Sequence, residues 1–427
     1  MRRTTTMLAA AILMLAACTK EAANQANESA KGTAHSVAKK VQGAVGYVTT
    51  PAYAPDPYAR TREQERFDTK WQQLQSFRAQ QEQQRQQQQQ AAMQAQAQGA
   101  QLQFVTGQKQ SFKGLDANGI NSAPILVPIT GDISGPSVLR AQVYLDRAHF
   151  SVGSIDGRWG RNSAITVWWW QRSHGLPPTG DVDEATFRSI AAAEGAVPVV
   201  VTHQLTADDV QGPFVQIPDS VYDQQKLSCM CYQTLKEKLA EEFHVTETFL
   251  EQLNPDVKFP DLQAGQSIVV PNVRQPFTQD QHDIAKVVIS IAGNTFNAFD
   301  ANGNLIFHAP TTLGSGYDPS PDETVHVVKV IPMPQFHYDP TLYHEVPDWK
   351  PDAHLNPGPN SPVGVVWMAL SKEHYGMHGT GDPDAIGYAS SHGCVRLTNW
   401  DAFEVEHRIS EGVPVAFVDT RPGDHKS

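Results

Sequence analysis

His374-Tyr375-Gly376-Met377-His378-Gly379-Thr380 and, after a short loop, Tyr388-Ala389-Ser390-Ser391-His392-Gly393-Cys394-Val395-Arg396-Leu397 hold the residues on which the reading turns. A cysteine thiolate attacks carbonyl carbon readily and leaves readily from a thioester, so Cys394 suits acyl transfer. It needs a base or a positive neighbour to become that thiolate, and His378 and His392 are both candidates near neutral pH. Gly379 and Gly393 let backbone approach a substrate closely, and the Gly393 and Cys394 amides are placed to face a developing oxyanion. In an extended segment His392, Cys394 and Arg396 share one face, which brings imidazole and guanidinium toward sulfur. A zinc site of His378, His392 and Cys394 plus water is chemically feasible. The H-x-C spacing is atypical for one, however, and a nucleophile with its base uses every group. The residues alone therefore reach a Cys, His acyl transferase or protease with neither metal nor cofactor.

The surrounding pattern, from 284 to 420, is β. Short apolar runs at Val287-Val288-Ile289, Thr295 to Phe299 and Leu305-Ile306-Phe307 read as strands, with Asp300-Ala301-Asn302-Gly303 as a hairpin turn between the last two. Val325 to Ile331, Val363 to Leu370 and Val413 to Val418 supply more. One helix interrupts them, opening at Thr398-Asn399-Trp400-Asp401 as a capping box and closing before Gly412. The span from Gly314 to Asn360, rich in proline and carrying Tyr317, Phe336, Tyr338, Tyr343 and Trp349, is too long for a simple connector. It reads as a lid over the site or, failing that, as a packed decoration.

His378-Gly379-Thr380 with Ser391-His392-Gly393-Cys394-Val395-Arg396 resembles the active-site signature of the L,D-transpeptidases of YkuD type. The resemblance implies a mostly β catalytic domain, a β-sandwich with one covering helix. It implies Cys394 as nucleophile, His378 as the base held at its other ring nitrogen by a backbone carbonyl, and His392 as a supporting residue. Gly393 and Cys394 would supply oxyanion amides, and Arg396 a structural or orienting cation. Tyr375, Met377, Gly379, Thr380, Ser391 and Tyr338 are the implied substrate contacts. The family forms an acyl-enzyme on a peptidoglycan stem peptide, expels the terminal D-alanine and passes the acyl group to an amine. Hydrolysis by the same groups is the alternative, as is a wall-binding anchor without activity. Pro357-Gly358-Pro359-Asn360-Ser361-Pro362-Val363-Gly364 departs from the family at Ser361 and Val363, usually Asn and Leu, on the approach to the catalytic strands.

Upstream, residues 130–195 read as helix, Gly turn, helix, Pro and Gly turn, short helix, with Asp183 as an N-cap. This resembles the three-helix peptidoglycan-binding module, and implies glycan strands as a partner. Trp168-Trp169-Trp170 cannot all face one helix side, so at least one is expected on the surface, either stacking on glycan or packing on a neighbouring domain. Residues 200–275 end like a LysM-type domain but lack its opening strand, which makes them a degenerate linker domain with helices over 232–243 and 246–253. Cys229 and Cys231 are too few to specify a metal and awkwardly close for a disulfide, and are expected to be local thiols without catalytic duty.

The N-terminus reads as an address. Arg2 and Arg3 precede an apolar run too short to span a bilayer, and Leu15-Ala16-Ala17-Cys18 resembles a lipobox, implying cleavage after residue 17 and lipidation of Cys18. Thr19 and Lys20 lack the aspartate that retains many lipoproteins at the inner membrane, so the expected location is periplasmic, on the inner face of the outer membrane. Residues 18–110, Gln- and Ala-rich, have no apolar stripe and read as a tether; as a coil they reach about 50 Å. The formal charge of -12 argues against nucleic acid as a partner. Fractionation of cells is expected to place the chain in the membrane and to release it when Cys18→Ala is made; an unchanged distribution contradicts the anchor.

Overall fold

The computed structural model describes residues 102–418 apart from 108, 195–196, 317 and 344–345. The expected signal peptide, Cys18 and almost all of the tether lie outside these residues.

Pro136 opens helix α1 (Pro136–Arg147) at a position where its missing N–H costs nothing. Helices α2 (Arg161–Ser173) and α3 (Glu184–Glu194) follow. Asp183 caps the last of these by accepting from Thr186 N at 2.7 Å. All of Trp168, Trp169 and Trp170 are buried, which corrects the expectation of a surface aromatic and removes the glycan-stacking reading. The reason is that α2 is wedged between two layers. Trp170 packs edge-on against Phe150 at 5.0 Å and stacks on His174, while Trp169 lies 6.1 Å from His308 on the C-terminal sheet.

Strand β1 (Val200–Gln204) pairs antiparallel with β2 (Ser267–Pro271), enclosing α4 (Leu235–Glu242) and α5 (Glu247–Leu253). An opening strand is thus present where the sequence suggested none. No separate LysM-like domain is evident, because Leu239, Leu250, Ile268 and Val270 join the same buried cluster as Leu139, Val143 and Phe187 of the helices. Thr234 and Thr246 cap α4 and α5. Cys229 and Cys231 form a disulfide, correcting the expectation of thiols and leaving Cys394 as the free cysteine among the described residues.

The C-terminal part is built on β3 (Lys286–Ser290), β4 (Thr295–Phe299), β5 (Leu305–Pro310), β6 (Thr324–Pro332), the small hairpin β7 (Phe336–Tyr338) and β8 (Ala353–Leu355), then β9 (Val366–Leu370), β10 (Gly376–His378), β11 (Val395–Arg396), α6 (Asn399–Arg408) and β12 (Pro414–Val418). Apart from the hairpin, these strands form one eight-stranded sheet in the order β11-β10-β9-β6-β12-β3-β4-β5. The expected β-sandwich is corrected to a single curled sheet, a half-barrel that closes over its own core. Val287, Phe296, Met377, Val395 and Val415 fill that core together with Ala402 and Val405 of α6. Thr398 caps α6 by accepting from Asp401 N at 3.2 Å, but no reciprocal box forms. The Asp401 carboxylate is used elsewhere, at the junction with the helices.

That junction is a buried charge cluster. Arg274 pairs with Asp146 of α1 and with Asp401 and Glu404 of α6, and all of these side chains are at most 5% exposed. Asp401 also accepts from Ser151 Oγ at 2.9 Å, and His244 Nδ1 lies 3.0 Å from Asp146. Burial alone would raise the Asp146 carboxyl; the Arg274 and His244 charges outweigh it and hold it well below its ordinary range. Removing the cation leaves carboxylates buried without compensation. Arg274→Ala is expected to cost about 3–5 kcal/mol in denaturant unfolding, whereas loss of the exposed pair by Arg188→Ala should cost under about 1 kcal/mol. Equal small effects would show that the junction does not depend on Arg274.

Candidate active site

Strands β10 and β11 pair in parallel, Met377 opposite Val395 and His378 opposite Arg396. Met377 and Val395 point into the core. Alternation along each strand therefore sends His378 and Arg396, with Gly376 and Cys394 one step before, to the opposite face. Cys394 directly precedes β11, where the Gly376 N–H reaches its sulfur, and His378 lies two residues beyond Gly376 on the neighbouring strand.

His378 is 3% exposed. Its Nδ1 is 2.7 Å from the Gly379 carbonyl oxygen, which makes Nε2 the ring nitrogen able to accept a proton. The ring stacks on Trp367, its register partner on β9, at 5.4 Å. Burial pushes the imidazole down to about 3, with the Arg396 charge adding to the effect against the Gly379 carbonyl. The imidazole is neutral at physiological pH. Cys394 Sγ lies 3.8 Å from the His374 carbonyl oxygen. Burial pushes its thiol up, partly offset by the Gly376 N–H and the Arg396 charge. At rest the site therefore holds a neutral thiol and a neutral imidazole, and Arg396 acts on both.

His392 is placed differently from the sequence expectation. Only Val395 and Arg396 are strand, and Gly393 has φ +103°, so the shared extended face ends before His392 is reached. His392 is exposed, its Nε2 4.0 Å from Asp318 and its ring edge-on to Tyr343 at 4.8 Å. Met377, expected at the substrate, is a core residue. Tyr375 is part of the site wall: its hydroxyl donates to Pro319 O at 3.2 Å, and a Cβ on Gly393 would lie 2.7 Å from its ring. Ser391 donates through Oγ to Cys394 O at 2.6 Å, and Ser320 Oγ to Gly393 O at 2.8 Å. Thr380 is buried and accepts from Asp382 N at 3.1 Å. Tyr338 stacks on Tyr343 and so reaches the rim beside His392, while Ala353 and Leu355 of the same span pack on Met230. The 314–360 span is thus both rim and packed decoration.

Sequence reasoning missed Asn399. Its Oδ1 accepts from Val365 N at 3.2 Å, and its Nδ2 donates to Pro359 O and to the Glu241 carboxylate, each at 3.0 Å. A Cβ on Gly379 or on Gly364 would strike Asn399 Oδ1, so both glycines are fixed by this contact. Its place at the first turn of α6 gave no signal beyond helix capping. Arg161 and Asn162, at the start of α2, donate to the Gly387 and Ile386 carbonyls, and Gly387 N donates to Thr312 Oγ1. Thr312 in turn exchanges both backbone hydrogen bonds with Arg396. The helical part thereby reaches the strand that carries the cysteine.

A half-barrel with a cysteine and a buried neutral histidine on one face of adjacent strands is the setting for nucleophilic acyl chemistry. Residues 285–416 match the family described as L,D-transpeptidase catalytic domain (YkuD), and residues 134–190 match that described as "Putative peptidoglycan binding domain". The C-terminal part is thus similar to YkuD-type catalytic domains, and the helical part before it to peptidoglycan-binding domains. The "Putative L,D-transpeptidase YkuD" of Bacillus licheniformis is 29% identical over 180 residues, 42% of this chain and 91% of that protein. The protein of the same description from Bacillus subtilis is 29% identical over 177 residues, 42% and 89%. Among solved structures, an L,D-transpeptidase from Mycobacterium smegmatis aligns at 18% identity and TM-score 0.26, over 36% of this chain and 63% of that one; the alignment spans less than two thirds of its length.

Because the Arg396 charge lowers the thiol, Arg396→Gln should raise it. Alkylation of Cys394 by iodoacetamide is expected to be slow at neutral pH, to rise in the alkaline range, and to shift to still higher pH in Arg396→Gln. A shift to lower pH would mean that Arg396 does not act on the sulfur.

Proposed function

We propose that the chain is an L,D-transpeptidase acting on peptidoglycan stem peptides through a thioester on Cys394. The placement of Cys394 and His378 on one face of two paired strands carries this reading. The thiol sulfur attacks the carbonyl carbon before the terminal D-alanine of a donor stem while His378 Nε2 takes its proton. The negative charge on oxygen is met by the Gly393 and Cys394 amides. The C–N bond then breaks, and D-alanine leaves with the proton returned by His378. An acceptor amine attacks the thioester, a proton passes through His378 again, and the sulfur departs. A resting neutral pair suits this sequence, since the base is free to accept at any pH well above 3. His392, with Asp318 and Tyr343, belongs to the rim that receives the substrate. The helical domain holds the enzyme against the wall, and a lipid on Cys18 ties it to the outer membrane, so that local concentration supports a modest affinity.

Incubation with tetrapeptide muropeptides is expected to give a Cys394 adduct lacking one D-alanine, together with dimers or exchanged stems. Tripeptide alone would make the enzyme a hydrolase, and absence of adduct and product would remove the activity. His378→Ala should lower the acylation rate about 10²–10⁴-fold, while His392→Ala keeps a measurable rate; the reverse order would exchange their roles.

A further inference from the structure

A second convergence of donor atoms lies away from the thiol. His203 on β1, Asp209 in the turn after it and Glu242 at the end of α4 each bring one ligand atom within 4.8 Å of the others. His203 is partly buried, Asp209 buried and Glu242 exposed, so the group has a protected base and an open side. His203 Nε2 already stands 2.9 Å from Asp209 Oδ2. The parts are held from outside. Asp209 Oδ2 accepts from Thr206 N at 2.6 Å within a capping box, and Phe243 packs edge-on to the His203 ring at 5.0 Å.

Among the described residues, the Glu242 carboxylate has no hydrogen bond or ion pair. Lys238, one turn earlier on α4, gives its ammonium to the carbonyls of Asp208 and Gln211. Two carboxylates this close repel one another unless a cation or a proton lies between them. One imidazole nitrogen with two carboxylate oxygens is a donor set for a divalent transition ion, zinc foremost, with water in the remaining position. Ligand atoms around a tetrahedral zinc stand roughly 3.3 Å apart, within reach of side-chain adjustments from the present spacing of at most 4.8 Å.

We propose that His203, Asp209 and Glu242 form a divalent-cation site of Zn²⁺ type, with an open coordination position, apart from the thiol. A bound ion pins β1 and the 206–210 turn to α4. The neighbouring residue on that helix, Glu241, accepts from Asn399 Nδ2, so the staple braces the support of the catalytic strands from behind.

The test uses the untagged chain with Cys394→Ser, so that the thiol takes no metal, stripped with chelator and titrated with Zn²⁺ by calorimetry and by elemental analysis after gel filtration. One equivalent is expected, with a raised melting temperature. His203→Ala and Glu242→Gln should each weaken binding at least about tenfold and abolish the thermal shift. Glu242 is exposed, so its variant should keep the fold, with an unchanged circular dichroism spectrum and melting temperature in chelator. Absence of a stoichiometric ion, or binding unaltered in both variants, overturns the site.

Discussion

Arg274 is the interaction on which the arrangement rests. It follows β2 closely in sequence, yet its guanidinium is enclosed by Asp146 of the helical part and by Asp401 and Glu404 of α6. Burial would lower its affinity for a proton, but the facing carboxylates hold it above the ordinary arginine range. Such a cluster is not a cheap source of stability, since apolar replacements often do as well. Its effect is geometric: a planar fork satisfied by carboxylates from two layers fixes α6 against α1 in one register.

From that joint the constraint runs to the chemistry by short steps. Helix α6 begins at Thr398 and Asn399, directly after β11, and Asn399 supports Val365, Gly364 and Gly379. On the other side, α2 grips the 386–387 carbonyls through Arg161 and Asn162. The proposed nucleophile and base thus sit between supports that both trace back to the helical part. The helical part that resembles a peptidoglycan-binding domain is therefore built into the wall of the C-terminal sheet domain.

Legibility in the sequence followed the range of the forces involved. The strands at 286–310, 324–332 and 414–418, the hairpin turn at Asp300 and the caps at Asp183 and Thr398 were readable because local periodicity and turn chemistry set them. Cys394 and His378 stood out as candidates because the motif concentrates unusual chemistry in few residues. The burial of Trp168 to Trp170 was not, since it depends on a second layer supplied by β5. Nor was the outward turn of His392, which depends on the positive φ of Gly393. The sandwich expectation failed for a related reason: apolar runs identify strands but do not say whether they join one ladder or two. Arg274 and the Asn399–Glu241 contact act over more than a hundred residues of chain, beyond any pattern of spacing.

The proposed chemistry is tested most directly by a crystal structure of the chain trapped as the acyl-enzyme of a stem peptide. The account predicts density continuous with Cys394 Sγ, the thioester oxygen facing the Gly393 and Cys394 amides, and His378 Nε2 toward the departed amine. Acylation elsewhere, or His392 in the position assigned to His378, would contradict it.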